Sequence, residues 1–511
     1  MNTEKTLKNS LISVMAQIAT LFLKFINRRI FIIFLEVEYL GYQTLFTNIF
    51  SLLSVAELGI GSIISFHLYK EVVDNNEQEI GKLMYLYKLL YRIIAIVILV
   101  TGIGFCFLLP YFVKDANASW QYLYIVYFLQ LAGVVMGYFL SYRRTIYIVT
   151  QQEYKCVQID LYVNIIVQVI QLILLALLHN YIIYLCLQIS ITIIANIVIA
   201  IKSNKEFPYL KKKYIVIKQD IEKRNMFSDI SNFIVHQISY AVYGGTDNII
   251  ISAFCGIRNV ALYGNYILVQ TGVMQICFYK LLNPVQATIG NIVYSNRKKE
   301  DLWEQFKILD VFSFFFASYI GLGFFIFYQP FIELWMGKEY LLSDKFVALF
   351  SITIYLQAVW EIVYKYRTVF GDYKRDRNYM VASAISNIIV SILGAKYFGV
   401  SGVQFGTLIS FLPIAFGRIR FVVKKYFKQP MYKYIFLHMK LLLLVLSEGG
   451  ICYFLIKNIP VSVIGLIIRC FVWLLVPLII NISVYYRNPY FKKLLVQFNK
   501  MMKIIFSKIK A

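Results

Sequence analysis

Acidic residues are scarce in this chain. It has 27 Asp and Glu against 51 Lys and Arg in 511 residues, and charged residues make up only 15%. Soluble chains carry about 25% charged residues, so a string of water-exposed globular domains is excluded. Chemical motifs are missing as well. No DxD, HExxH, GxSxG or P-loop spacing occurs, so nothing offers paired catalytic carboxylates, a zinc-bound water, an acyl nucleophile or a nucleotide cradle. The chain is read as a non-enzyme with no catalytic residue and no cofactor. Its seven cysteines form no CxxC and show no ligand spacing, which leaves them as small buried hydrophobes and excludes a metal site built on them. The first apolar stretch is interrupted by Lys24, Arg28 and Arg29, and no small-x-small site follows it. It is therefore expected to stay as a helix and not to be removed as a signal peptide.

Hydrophobic residues, by contrast, make up 59% of the chain, and the mean hydropathy is +0.66. Apolar runs recur from end to end, and each is long enough to cross the ~30 Å hydrocarbon core as a helix. The expected fold is an all-α polytopic membrane protein with fourteen spans: 10–35, 41–66, 84–112, 120–142, 157–178, 182–201, 227–255, 261–283, 306–328, 346–369, 378–395, 404–423, 435–456 and 463–485. With this count, one set of loops holds about 32 Lys and Arg and the other about 6, which puts both termini in the cytoplasm. The net charge of +24 then reflects membrane topology, and no nucleic-acid partner is expected.

The longest basic loop, 202–226, contains Lys211, Lys212 and Lys213. It is expected to link a six-helix lobe at 1–201 to a second at 227–423. Two further helices would occupy 424–485. The basic tail 486–511 has Leu494, Leu495, Phe498, Met502 and Ile505 at helical spacing, which suits an amphipathic helix lying on an anionic leaflet.

A charge at the bilayer centre costs roughly 2.5–3.5 kcal/mol on insertion scales, so such residues mark cavities or pairs. Gln17, Thr20, Lys24, Asn27 and Arg28 recur at spacings of three and four, which predicts one polar face on the first span. His236, Ser239, Tyr243 and Asp247 do the same on the seventh. The joins Tyr39-Leu40-Gly41 and Leu262-Tyr263-Gly264 suggest a repeat. Superposing Gly41 on Gly264 puts Lys24 on Asp247 and Glu57 on Lys280, so the charges reverse between the halves. Two readings stand for Asp247 and Glu57. They carry an exchangeable ion or proton, or they are permanent partners of Lys24 and Lys280. Arg367 reads either as a cavity cation or as a residue snorkelling at the end of its span. Lys365 and Glu361 are spaced to pair with each other.

The stretch Thr246-Asp247-Asn248-Ile249-Ile250-Ile251-Ser252, with Gly256, Val260 and Asn265-Tyr266, resembles the Wzx-type flippases of lipid-linked polysaccharide repeat units. So do Ala56-Glu57-Leu58-Gly59-Ile60-Gly61, Leu68-Tyr69-Lys70, Ile289-Gly290-Asn291 and Leu334-Trp335-Met336-Gly337. These flippases belong to the multidrug/oligosaccharidyl-lipid/polysaccharide exporter superfamily. The resemblance implies two pseudo-symmetric six-helix lobes in a V shape plus two C-terminal helices. It also implies alternating access in the bacterial cytoplasmic membrane and an undecaprenyl-diphosphate-linked oligosaccharide as substrate. Arg28 and Arg367 match arginines of the family, whereas Arg29 departs from it. Lys24, Arg28 and Arg367, with Lys280, are the expected head-group ligands. The partners expected beyond the membrane lipids are a polysaccharide polymerase and a chain-length regulator. The rival reading is a multidrug exporter of the same superfamily.

Overall fold

The computed structural model describes residues 3–57, 60–115, 117–215, 238, 241–242, 244–294, 299–370 and 373–510. Among these residues there are helices and no strand, and each of the fourteen expected spans overlaps a helix. Among the described residues, nine helical stretches are long and apolar enough on their own to cross a membrane. Packing divides the chain into two compact units, Met1–Ile276 and Cys277–Ala511.

The N-terminal unit begins with α1 (Thr3–Phe34) and α2 (Val37–Leu53), followed by a 3-10 turn at Ser54–Glu57 and then α3 (Ile60–Val73), α4 (Glu77–Cys106) and α5 (Leu109–Phe112). After these come α6 (Trp120–Ser141), α7 (Arg144–Val149), α8 (Tyr154–Leu178) and α9 (Tyr181–Glu206). Short polar residues start the long helices. Asn76 accepts from the Glu79 amide at the head of α4, Ser119 from the Tyr122 amide at α6, and Asn180 from the Ile182 amide at α9. Each satisfies a backbone donor that a helix N-terminus leaves bare. Two more helices, α10 (Asp247–Cys255) and α11 (Ile257–Val273), pack within this unit against α2. Residues 216–226 of the loop expected to separate two lobes, and His236, Ser239 and Tyr243, lie outside the described residues.

The boundary between the units falls inside a π-helical segment, Met274–Tyr279. The C-terminal unit then contains α12 (Lys280–Tyr294), α13 (Lys299–Trp335), α14 (Asp344–Val359), α15 (Glu361–Val369) and α16 (Tyr373–Ile419). It ends with α17 (Met431–Ile456), α18 (Val463–Tyr485) and α19 (Pro489–Lys510). At 37 residues, α13 measures about 55 Å, well beyond the hydrocarbon thickness. The backbone of α16 is not helical at Gly399 (φ 60°, ψ −141°), so α16 is two helices joined there, and the expected spans 378–395 and 404–423 lie on either side of that break. The basic tail is the helix α19, whose Phe491 stacks on Phe315 of α13 at 5.0 Å.

Large apolar side chains cover the outside. Ile93, Ile96 and Val100 on α4 and Ile464, Ile467 and Phe471 on α18 are all exposed. A surface of this kind is a liability in water and the natural partner of lipid tails. The chain is a multi-pass membrane protein.

Candidate functional site

Arg28 is half-buried in α1, and its side chain is held by α11. Its Nε donates to Asn265 Oδ1 at 2.5 Å, and its Nη2 donates to the Ala261 carbonyl at 3.1 Å. Asn265 is fully buried. Gly264 makes room for this arrangement, since a Cβ there would stand 2.9 Å from Arg28 Nη2. The other glycine of the suspected repeat, Gly41, has the reciprocal role, because a Cβ on it would meet the Ile257 carbonyl at 2.4 Å. The two glycines thus bring α1, α2 and α11 into close approach. The partners of Arg28 are neutral, so its charge is not cancelled. A guanidinium has five N–H donors in a planar fork, and the Nη1 donors take no partner among the described residues.

One turn away, Lys24 lines a cavity of about 380 Å³ inside the same unit. Gln17 and Thr20 from α1, Asp160 and Asn164 from α8, and Thr271 and Gln275 from the α11 side contribute to its wall. Lys24 is exposed and forms no ion pair among the described residues. Asp247 does not line this cavity. It is buried at the start of α10 and accepts from the Tyr263 hydroxyl at 3.3 Å.

The polar face expected on the first helix is divided in the structure. Gln17, Thr20 and Lys24 face the cavity, and Arg28 reaches α11. Asn27 turns the other way, donating to Gln171 at 3.1 Å and accepting from Tyr184 at 2.6 Å. That knot is buried and ties α1 to α8 and α9, so Asn27 holds helices together. Arg29 is exposed.

Glu57 opens onto a second cavity, of about 430 Å³, between α2, α6 and α9. Its two oxygens accept from the Tyr91 and Tyr138 hydroxyls, and Tyr87 in turn donates to Tyr91 at 2.7 Å. Gln43, Gln188, Thr47 and Thr192 make much of the remaining wall polar. Arg144 borders this cavity and grips Asp160, with both hydrogen bonds at 2.7 Å, while its Nε donates to Asn196 at 2.8 Å. Asp160 therefore stands between the two cavities. The sequence reading overlooked this residue, although it is the only carboxylate in the 157–178 run.

The C-terminal unit treats its charges differently. Arg367 is 2% exposed, and its Nη2 lies 2.8 Å from Asp376 Oδ2. Arg418 reaches the same oxygen at 3.3 Å and lies over the Tyr364 ring. Lys365 pairs with Glu361 at 3.2 Å, as their spacing predicts. In this conformation Arg367 is a buried ion-pair residue, which differs from both a cavity cation and a snorkelling side chain. Lys280 begins α12, and its side chain lies outside what is described. Among the described residues no group of His, Cys, Asp and Glu is arranged to hold a metal.

Residues 6–280 match the polysaccharide biosynthesis protein family. That stretch covers all but the first five residues of the unit that holds Lys24, Arg28, Glu57 and Asp247. Among solved structures, the lipid II flippase MurJ in an inward closed conformation superposes with a TM-score of 0.70 at 17% identity, covering 94% of this chain and 98% of that one. An inward-facing multidrug resistance MATE family transporter of the MOP superfamily gives 0.55 at 12% identity, over 81% of this chain and 97% of that one. No curated protein sequence matches. These likenesses give the fold, which is shared with MurJ and the MATE transporter, and the family match over more than half of the chain gives its kinship: the chain belongs to the polysaccharide biosynthesis protein family.

Proposed function

We propose that this protein is a flippase. It carries an undecaprenyl-diphosphate-linked polysaccharide repeat unit from the inner to the outer leaflet of the bacterial cytoplasmic membrane by alternating access. The observation that carries this reading is a membrane-embedded arginine with neutral partners and free donors, one turn from a lysine in a polar cavity. An uncompensated cation inside a bilayer is costly, and a diphosphate that arrives and leaves offsets that cost only while it is bound. The planar donors of Arg28 suit two phosphate oxygens, and Lys24 acts as a point charge beside them. The polar walls offer hydrogen bonds to sugar hydroxyls, while the polyprenyl tail stays in lipid. The family membership and the MurJ-like fold agree with this assignment. Six-helix lobes at 1–201 and 227–423, cytoplasmic termini, and a polymerase and chain-length regulator as neighbours belong to the same proposal.

Glu57 and Asp247 are the proposed coupling carboxylates. Glu57 accepts from two tyrosine hydroxyls and Asp247 from that of Tyr263, and such donors stabilise the charged carboxylate and release it when a proton or ion arrives.

The test uses the purified chain in liposomes loaded with a fluorescent lipid-linked oligosaccharide, with external quencher reporting its leaflet. Net movement in wild type and its loss in Arg28→Ala, at equal protein level, is the expected result. No movement of any lipid-linked sugar, combined with efflux of cationic dyes, would replace this reading with that of a multidrug exporter.

A further inference from the structure

The C-terminal unit contains a carboxylate that plays no part in the head-group proposal. Glu448 lies in the middle of α17 and is fully buried where α17, α13 and α18 pack together. Its Oε2 accepts from the Ser318 hydroxyl of α13 at 2.9 Å, and Ser318 Oγ in turn accepts from Asn481 Nδ2 of α18 at 3.2 Å. The chain of bonds has one direction, from Asn481 through Ser318 to Glu448, and the serine hydrogen is used in it. Two acceptors remain without a donor, Glu448 Oε1 and Asn481 Oδ1. Ser318 and Asn481 are themselves fully buried.

Among the described residues no cation pairs with this carboxylate. None of the ion pairs among the described residues includes Glu448. The titratable groups that its charge reaches include Cys452 on its own helix, Tyr319 on α13 and Tyr355 on α14, none of them cationic. On α18 the cation is Arg469, and it is spent on the carbonyls of Pro460 and Ile459. The nearby Asp310 has its own partners, His438 at 3.2 Å and the Tyr434 hydroxyl at 2.7 Å. A fully buried ionised carboxylate with one donor is among the costliest arrangements a protein can hold, and neutralisation is the usual escape. A proton on Oε1 removes the charge. It also turns a bare acceptor into a donor, in a cluster whose other bare atom is an acceptor.

We propose that Glu448, with Ser318 and Asn481, is a proton-binding site where the last two spans, α17 and α18, pack on α13, and that the folded chain carries this proton at neutral pH. The site stands apart from the flippase reading and holds whatever the substrate is.

The sign of its effect is fixed by linkage. Above the ordinary range of glutamate, near pH ~4.3, the unfolded chain has released this proton and the folded chain has kept it. Stability therefore falls as pH rises, until Glu448 lets go in the folded state, and is level beyond that. Thermal unfolding of the full-length chain in detergent, followed from pH 5 to 9, should show this decline in wild type and lose it in Glu448→Gln, which mimics the neutral form. Infrared difference spectra across the same titration should show one buried protonated-carboxyl band that is absent from Glu448→Gln. Should that variant fail to fold, Ser318→Ala serves instead. It removes the donor that favours the charged form, so the band should persist to higher pH. Identical pH profiles and identical spectra in wild type and Glu448→Gln would overturn the proposal. So would sodium, added at constant ionic strength at pH 9, stabilising wild type and not Glu448→Gln, because the site would then be a metal-cation site.

Discussion

Arg367 in the C-terminal unit and Arg28 in the N-terminal unit are held in opposite ways. In the C-terminal unit Arg367, Lys365 and Arg418 each have a carboxylate within 3.3 Å. In the N-terminal unit Arg28 is held by an amide and a carbonyl, Lys24 lines a cavity, and Glu57 is met by hydroxyls. A charge in an apolar helix is therefore not yet a site. What separates structure from function is whether the partner cancels the charge. A cancelled charge fixes helices in place, and an uncancelled one is available to a ligand. Arg144 shows that the N-terminal unit uses the first device as well, through Asp160.

The contrast can be broken most forcefully at Asp376. Asp376→Asn leaves Arg367 buried without its counter-charge, a change that typically costs about 3–5 kcal/mol. We expect a large fall in melting temperature, with transport per folded molecule nearly unchanged. Stable protein that no longer transports would return Arg367 to the head-group site. Arg28→Ala is the mirror experiment. Hydrogen bonds to charged groups are worth about 1.5–3 kcal/mol, so flipping per folded molecule should slow about 10- to 100-fold, beyond any loss of stability from stranding Asn265. Unchanged flipping would end the claim that uncancelled charge marks the ligand site. Asn27→Ala tests the divided face of α1. It strands Gln171 and Tyr184, a loss of about 1–3 kcal/mol in stability, and transport by the folded fraction should match wild type. A specific transport defect would restore Asn27 to the cavity. Lys24→Ala should have the smallest effect, a severalfold loss of flipping that shrinks as salt is raised, because a water-exposed charge is screened. A loss that is independent of salt would mean Lys24 acts by packing.

Much of the architecture was legible in the residues. Runs long enough to span a bilayer predict the helices, because backbone groups in lipid must pair internally. The pairing of Lys365 with Glu361 followed from helical spacing, since residues four apart share a face. Where the partner sits on another helix, the residues gave no sign of it. Asp160 passed unnoticed because Arg144, its partner, lies beyond a turn and reads as a loop cation. The expected pairing of Lys24 with Asp247 is not seen, and Asp247 meets Tyr263 instead. Nor did spacing show that Gly264 clears space for Arg28, although the glycine itself stood out at the join of the suspected repeat.

The order of residues by itself determined that this is a many-helix membrane protein, where most spans begin and end, and which few charges must be explained. Those conclusions rest on transfer energies and helical periodicity, which act residue by residue along the chain. Tertiary structure decided which charges are cancelled and which stay open. That depends on helices remote in sequence meeting within hydrogen-bond distance, and it separates Arg367, closed by Asp376, from Arg28, left with donors to spare.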